Sequence, residues 1–501
     1  MSRLLEEFKE YLKEMNQYDH VTGLLQWDMQ TTVPKLGQAA HVDALTYFST
    51  KSFEMGTSEK LGEFLEKLAQ PAEYDALDDT WRFIVKRMKR DYDRNKRIPA
   101  DLYEAFVRAA AESGNAWEEA KTASDFSIYA PHLRNMIEMT KQVIGYTDPG
   151  KDVYDALLEQ CEEGMDQATI DRLLEEVKTE LIPLVEQITA KKMPENPTFH
   201  AYADPDAQRR VQWLLLDYIG FRRDAGAVGE TEHPFTTNFS SKDVRVTNHY
   251  YETEPLSAMF SAIHEGGHAI FEQNVNPEYD NTVAGSCCYM GVHESQSRFY
   301  ENILGRNINF WKPIYEKLGE LLPQFKNVTL EAFEREINRV ENSMVRTEAD
   351  EVTYCFHIIL RYEMEKAIFY DHVPVEKLPE LWNQKMQEYL HITPKNDAEG
   401  ILQDVHWSDG SFGYFPSYLL GSIYDGMYLE KMEEELGSVD EILADGRIGE
   451  ITKWLNEKIH WYGSTRTPKE VIAAVCGKEV SAQPLVRYMK KKYTRLYGLF
   501  E

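Results

Sequence analysis

Positive charge is what this sequence lacks most. Against 84 acidic residues it sets 55 basic ones, for a formal net charge of −29. Such a chain repels phosphate backbones and anionic membrane surfaces, so neither nucleic acid nor membrane is expected among its partners. Cysteine is also scarce: five in 501 residues, an odd and scattered set without zinc-finger spacing. A disulfide framework is not expected, and a reducing, cytoplasmic setting fits. No apolar run approaches the roughly 18 residues of a membrane span. The opening MSRLLEEFKEY has no basic stretch leading into an apolar one, so no secretory signal is expected. Glycine-rich phosphate-binding patterns are absent, which leaves nucleotide chemistry without support. Hydrophobic residues, by contrast, make up 43% and aromatics 12%. That is enough for large cores, so the acidity is not a sign of disorder.

What is present is helical periodicity. Leu4, Leu5, Phe8, Leu12 and Met15 share one face at 3.6-residue spacing. Similar stripes recur at 60–69, 102–121, 170–189 and 330–370, with Glu and Lys on the opposite faces. Asp148-Pro149-Gly150 reads as a turn and Met193-Pro194-Glu195-Asn196-Pro197 as a loop. The exception is 232–254, rich in Thr, Val, Phe and Tyr, with Ser240-Ser241-Lys242-Asp243 as a turn; it predicts a small sheet beside a cleft. Length alone suggests about three domains. With no linker in view, residues 1–501 are expected to form one large all-α unit, two lobes about a groove, with 255–425 as its core segment.

Directly after the predicted strands comes Pro255 to Phe271, whose apolar stripe includes Leu256, Met259, Phe260, Ile263 and Ile270. On this helix His264 and His268 are i and i+4, one turn apart on one face, so both imidazoles reach one Zn²⁺. Glu265 follows the first histidine, where a carboxylate meets a water on the metal without being a ligand. Gly266 and Gly267 cost a helix about 1 kcal/mol each relative to alanine; the penalty points to close approach of another backbone or of the site itself. A catalytic zinc also needs a third protein ligand and an open position. Glu294, in Gly291-Val292-His293-Glu294-Ser295-Gln296, is the favoured third ligand. Its neighbour His293 points about 100° away around the helix. Cys287 and Cys288 chelate poorly as adjacent residues and read as small packing residues.

Six short motifs resemble the carboxypeptidase Taq family of HExxH metallocarboxypeptidases. They are His233-Pro234-Phe235, Asp243 to Thr247, His264 to His268, His293 to Gln296, Val345 to Asp350, and Gly400 to Trp407, in the family's order. Val345 departs conservatively from the family's usual Ile or Tyr. The resemblance implies an all-α, zincin-type fold with a deep central groove, like the neurolysin and angiotensin-converting-enzyme group. It also implies a homodimer, a Zn²⁺ site that Co²⁺ also activates, and removal of C-terminal residues from peptides with broad specificity, poorly before a C-terminal proline.

An enzyme acting at a peptide's free C-terminus must bind a carboxylate, and arginine's fork suits it best. Arg346 and Asp350, read as one helix face, form an i,i+4 pair by spacing alone; the resemblance makes Arg346 the first candidate for the substrate carboxylate and Asp350 a partner of a ligand histidine. Arg245, with Asp243 two residues before it, is the second candidate, and a structural Asp–Arg pair is the equal alternative. His233 is expected to line the groove or to hold a turn. His406, oriented by Asp404, is the first candidate for stabilising the developing oxyanion, with Tyr414 and Tyr418 behind it on a glycine- and serine-rich loop. The expected mechanism has Glu265 as general base to a water on Zn²⁺ held by His264, His268 and Glu294. Its rivals are an internally cleaving oligopeptidase on the same metal site and a non-catalytic helical scaffold.

Overall fold

A computed structural model describes residues 2–191, 193, 196–285 and 289–499. Cys287 and Cys288 lie outside the described residues. Most of the chain is helical, and the periodic stretches account for it. Arg3–Thr31 starts on Ser2, whose hydroxyl accepts from the Leu5 amide, and buries Leu5, Phe8, Tyr11 and Leu12. Gln167–Thr189 is capped by Asp166 and buries Ile170, Leu173, Leu174, Val177, Leu181, Leu184, Val185 and Ile188, a continuous i, i+3, i+4 stripe. The stripe at 330–370 behaves differently. It gives a helix over Leu330–Ile337, a non-helical stretch with one 3₁₀ turn at Arg346–Glu348, and a second helix over Thr353–Phe369. Polar side chains interrupt it by taking backbone partners. The Asn338 amide donates to the carbonyls of Glu334 and Arg306, and Asp350 accepts from the amides of Val352 and Thr353.

The sheet has three strands: β1 (Gly226–Glu230), β2 (Thr236–Ser240) and β3 (Asp243–Asn248), in the order β1-β3-β2. β2 and β3 fall within 232–254, where a small sheet is expected, and form an antiparallel pair joined at Ser241-Lys242. β1 lies before that window and pairs with β3 in parallel, a long-range contact that local patterning does not reveal. Val244 and Val246 face inward, and Asn248 donates to the carbonyl of Ala258 at 2.9 Å, fixing the sheet to the helix that follows. Among the described residues no helix is long and apolar enough to cross a membrane.

Candidate metal centre and active-site groove

The helix Pro255–Gln273 carries His264 and His268, and the helix Met290–Arg298 carries Glu294. The two run close because Gly267 lacks a side chain: a Cβ there would stand 2.7 Å from the Gln296 carbonyl oxygen and 2.8 Å from the Ser297 Cα. The Nε2 atoms of His264 and His268 lie 3.9 and 3.6 Å from Glu294 Oε2. One ligand atom from each of the three residues falls within 4.8 Å of the others.

The outer atoms of all three groups are already engaged. His264 Nδ1 meets Glu301 Oε2 at 2.8 Å, and Arg298 Nε donates to Glu294 Oε1 at 2.8 Å. His268 Nδ1 meets His293 Nδ1 at 2.6 Å, and His293 Nε2 meets Glu272 Oε1 at 2.8 Å. Glu272 in turn accepts from Asn238 on β2 at 2.7 Å. Each imidazole therefore offers its Nε2 inward, and Glu294 offers one oxygen. Two nitrogens and a carboxylate oxygen are a donor set that suits zinc, so the residues present fit the metal that the motif implies.

The chain that orients these ligands was largely hidden from the sequence. Glu301 sits on a π-helical turn, Phe299–Gly305, that continues the Met290–Arg298 helix. Its spacing of seven from Glu294, two turns on, is the signal by which it is found. His293, read as pointing away from the metal, does so, and thereby becomes the partner of His268. The electrostatics follow from burial and these contacts. Burial would lower His264, but the Glu301 hydrogen bond and the Glu294 and Glu265 charges push it up to about 9. Burial and the neighbouring His293 push His268 down to about 3. Burial would raise Glu294, yet His268, Arg298 and His264 hold it well below the usual carboxylate range. A divalent ion held here would displace the proton from His264, because the same carboxylates favour either cation.

Glu265 is buried, and burial raises its pKa. Thr236 on β2 donates to Glu265 Oε2 at 2.6 Å and to the Glu265 carbonyl at 3.0 Å, so the sheet edge holds the carboxylate in place. His264, Glu265 and Glu294 open onto a cavity of about 1110 Å³ whose walls include His233, Arg346, Tyr354, Tyr414 and Tyr418.

Several expected pairings are not the ones observed. Asp350 does not support a ligand histidine: it accepts from Thr353 Oγ1 at 2.6 Å and from the Thr353 and Val352 amides, at the start of a helix. Arg346 is not on a common helix with it, because the chain between 338 and 352 leaves the helical path. Its Nε and Nη2 donate instead to Asp404 Oδ1 at 3.0 and 2.9 Å, and its Nη1 to the Tyr354 hydroxyl at 3.1 Å. Asp404 therefore serves Arg346, and Arg361 besides (Nε to Oδ2, 2.6 Å), rather than orienting His406 by a hydrogen bond. His406 stands behind the cavity wall, its Nε2 3.3 Å from the Tyr418 hydroxyl, while Tyr414 and Tyr418 form the wall itself. Tyr418 is not on the loop as expected: it belongs to the helix Phe415–Leu436, which Tyr414 precedes. Arg245 and Asp243 are committed to each other through two hydrogen bonds, 2.8 and 2.7 Å, with the guanidinium over Phe239 and Trp27 and away from the cavity lining.

A family model described as carboxypeptidase Taq (M32) metallopeptidase matches residues 7–493. The chain belongs to this family. Carboxypeptidase 1 of Bacillus subtilis is 42% identical over 495 residues, covering 98% of both chains. Thermostable carboxypeptidase 1 of Thermus thermophilus is 35% identical, again over 98% of each. A solved structure of Pyrococcus furiosus carboxypeptidase superposes with a TM-score of 0.94 at 32% identity, covering 98% of this chain and 99% of that one. The M32 chain is thus a metallocarboxypeptidase with the helical fold that the six motifs implied.

Proposed function

We propose that the centre holds Zn²⁺, with Co²⁺ able to replace it, on His264, His268 and Glu294, and that the enzyme removes C-terminal amino acids from peptides with broad specificity, poorly before a terminal proline. A bound divalent ion supplies Lewis acidity to the attacking water and the scissile carbonyl. Glu265, adjacent to the first ligand and raised by burial, accepts the water's proton and passes it to the leaving amine. Tyr418, backed by His406, and Tyr414 donate to the oxygen on which charge develops. Arg346 receives the peptide's terminal carboxylate: after its bonds to Asp404 and Tyr354 it keeps N–H donors on both terminal nitrogens. His233 lines the groove where the substrate lies. Cytoplasmic location, which rests on the sparse cysteines, and a homodimer, which rests on the resemblance, complete the reading, with one unit per chain and 255–425 as its catalytic segment.

The observation that carries the exopeptidase assignment is a buried guanidinium on the wall of the same cavity as the metal donors. Mass analysis of products from one unblocked peptide and its C-terminally amidated twin, with and without chelator, tests it. Stepwise loss of C-terminal residues from the unblocked peptide alone, abolished by chelator, is expected; internal cuts in the amidated twin favour the oligopeptidase. Glu265→Gln should keep its metal and lose turnover by a factor of about 10²–10⁴. A metal-loaded variant with near-normal turnover refutes the role of Glu265.

A further inference from the structure

Two guanidiniums share one carboxylate beneath the proposed substrate pocket. Asp404 accepts from Arg346 on Oδ1 and from Arg361 on Oδ2. Arg361 is fully buried, its side chain 0% exposed, and stacked over Trp382 at 4.8 Å. Its other bonds go to neutral acceptors, the His357 carbonyl at 2.9 Å and Gln403 Oε1 at 3.0 Å. Among the described residues no other carboxylate pairs with either guanidinium. The two nearby histidines add no charge above acidic pH. Burial, with the guanidiniums reinforcing it, pushes His357 down to about 3 and His406 down to about 4. The network therefore holds two cations and one anion in a water-poor setting.

A buried, uncompensated charge is costly, and it is retained where something completes it. The cavity outside is poor in free cations. Its other arginines, Arg298 and Arg306, already pair with Glu294 and Glu301, and its walls also carry Glu232, Glu254 and Glu348. Among the side chains lining this cavity, the one guanidinium that a shared carboxylate leaves with a positive surplus is that of Arg346.

We infer that Arg361 is a positioning residue for the substrate's terminal carboxylate: by taking half of Asp404, it leaves Arg346 under-neutralised, so that only a free C-terminus balances the network. The inference rests on Arg346 being the carboxylate's partner, and the test keeps the two separable. In zinc-loaded enzyme, KM and kcat are measured for an unblocked peptide, together with the inhibition constant of its amidated twin.

Arg346→Gln should raise KM if that residue is the partner. Arg361→Gln should raise KM about tenfold while kcat stays within about threefold and the amide's inhibition constant is unchanged. The double variant Arg361→Gln/Asp404→Asn restores the surplus of one positive charge on Arg346 and should bring KM back to within about threefold of the wild type. If Arg361→Gln does not fold, Arg361→Lys, which keeps the charge, is expected to hold KM within the same limit. The inference is overturned if free-acid and amide binding weaken together, if the folded double variant is no better than the single, or if a folded Arg361→Lys raises KM as Arg346→Gln does. An effect at Arg346 with none at Arg361 removes the inference and leaves the assignment of Arg346; no effect at either removes both.

Discussion

Replacing Gly267 with alanine adds one methyl group where two helix backbones meet, the helix carrying His264 and His268 and the helix carrying Glu294. The new Cβ would lie 2.7 Å from the Gln296 carbonyl oxygen and 2.8 Å from the Ser297 Cα, both backbone atoms. Reaching an ordinary contact of 3.4 Å requires the helices to part by about 0.7 Å. Overpacking of this kind costs about 1–3 kcal/mol, and the better helix propensity of alanine returns about 1 kcal/mol. The net loss of stability is therefore small, but the metal donors sit on opposite sides of the gap, and metal distances tolerate only about 0.2 Å. Metal affinity should fall about 10- to 100-fold, the scale seen when ligand support is lost.

Chelator competition measures that affinity, and thermal unfolding of the metal-free protein measures stability. Two controls fix the interpretation. A Cβ at Gly266 meets the ends of Ile219 and Leu216 side chains, at 2.5 and 3.0 Å, which shift more cheaply than backbone. A Cβ at Gly449 meets nothing within 4 Å, so Gly449→Ala should stabilise by about 0.4–1 kcal/mol. If Gly267→Ala binds metal as tightly as Gly449→Ala and melts no lower, the close approach does not set the donor geometry and the reasoning fails.

Further outcomes follow from neighbouring features. Glu301→Gln weakens the partner of His264 Nδ1 and should lower metal affinity about 10- to 100-fold by chelator competition; unchanged affinity argues against Glu301 as orienter. Burial pushes the Glu162 carboxyl up to about 8, so the folded state holds a proton that the unfolded chain has released from about pH 4.3 upward. Its stabilising effect is present below that pH and is lost as pH rises toward 8; the melting temperature of Glu162→Gln relative to wild type should therefore climb between pH 5 and pH 8, and a flat difference contradicts this. The acid-lined groove should favour basic over acidic peptides in kcat/KM at low salt, with the gap narrowing as salt is added; equal rates at low salt reduce the charge of −29 to a solubility feature.

The sequence by itself determined the helical class and the shared face of His264 and His268, because each is a local statement, and it offered Glu294 as the candidate third ligand. The i,i+4 spacing of His264 and His268 fixes both rings on one face whatever surrounds them, and the two glycines between them reported a close neighbour before that neighbour was known. The short sheet was legible as two or three short strands, and the six motifs carried the family. Tertiary structure decided everything that depends on which group reaches across. Glu301, Thr236 and Glu272 support the candidate metal centre from a π-helical turn, a strand and the far end of the helix that carries His264 and His268, and none is marked by a motif. Arg346 and Asp350 were paired by a helical spacing that the chain abandons after Ile337, since side-chain bonds to the backbone end the helix there. Asp404 went to two arginines rather than to His406 because a buried carboxylate is stabilised most by opposite charge, and the fold places Arg361 within its reach.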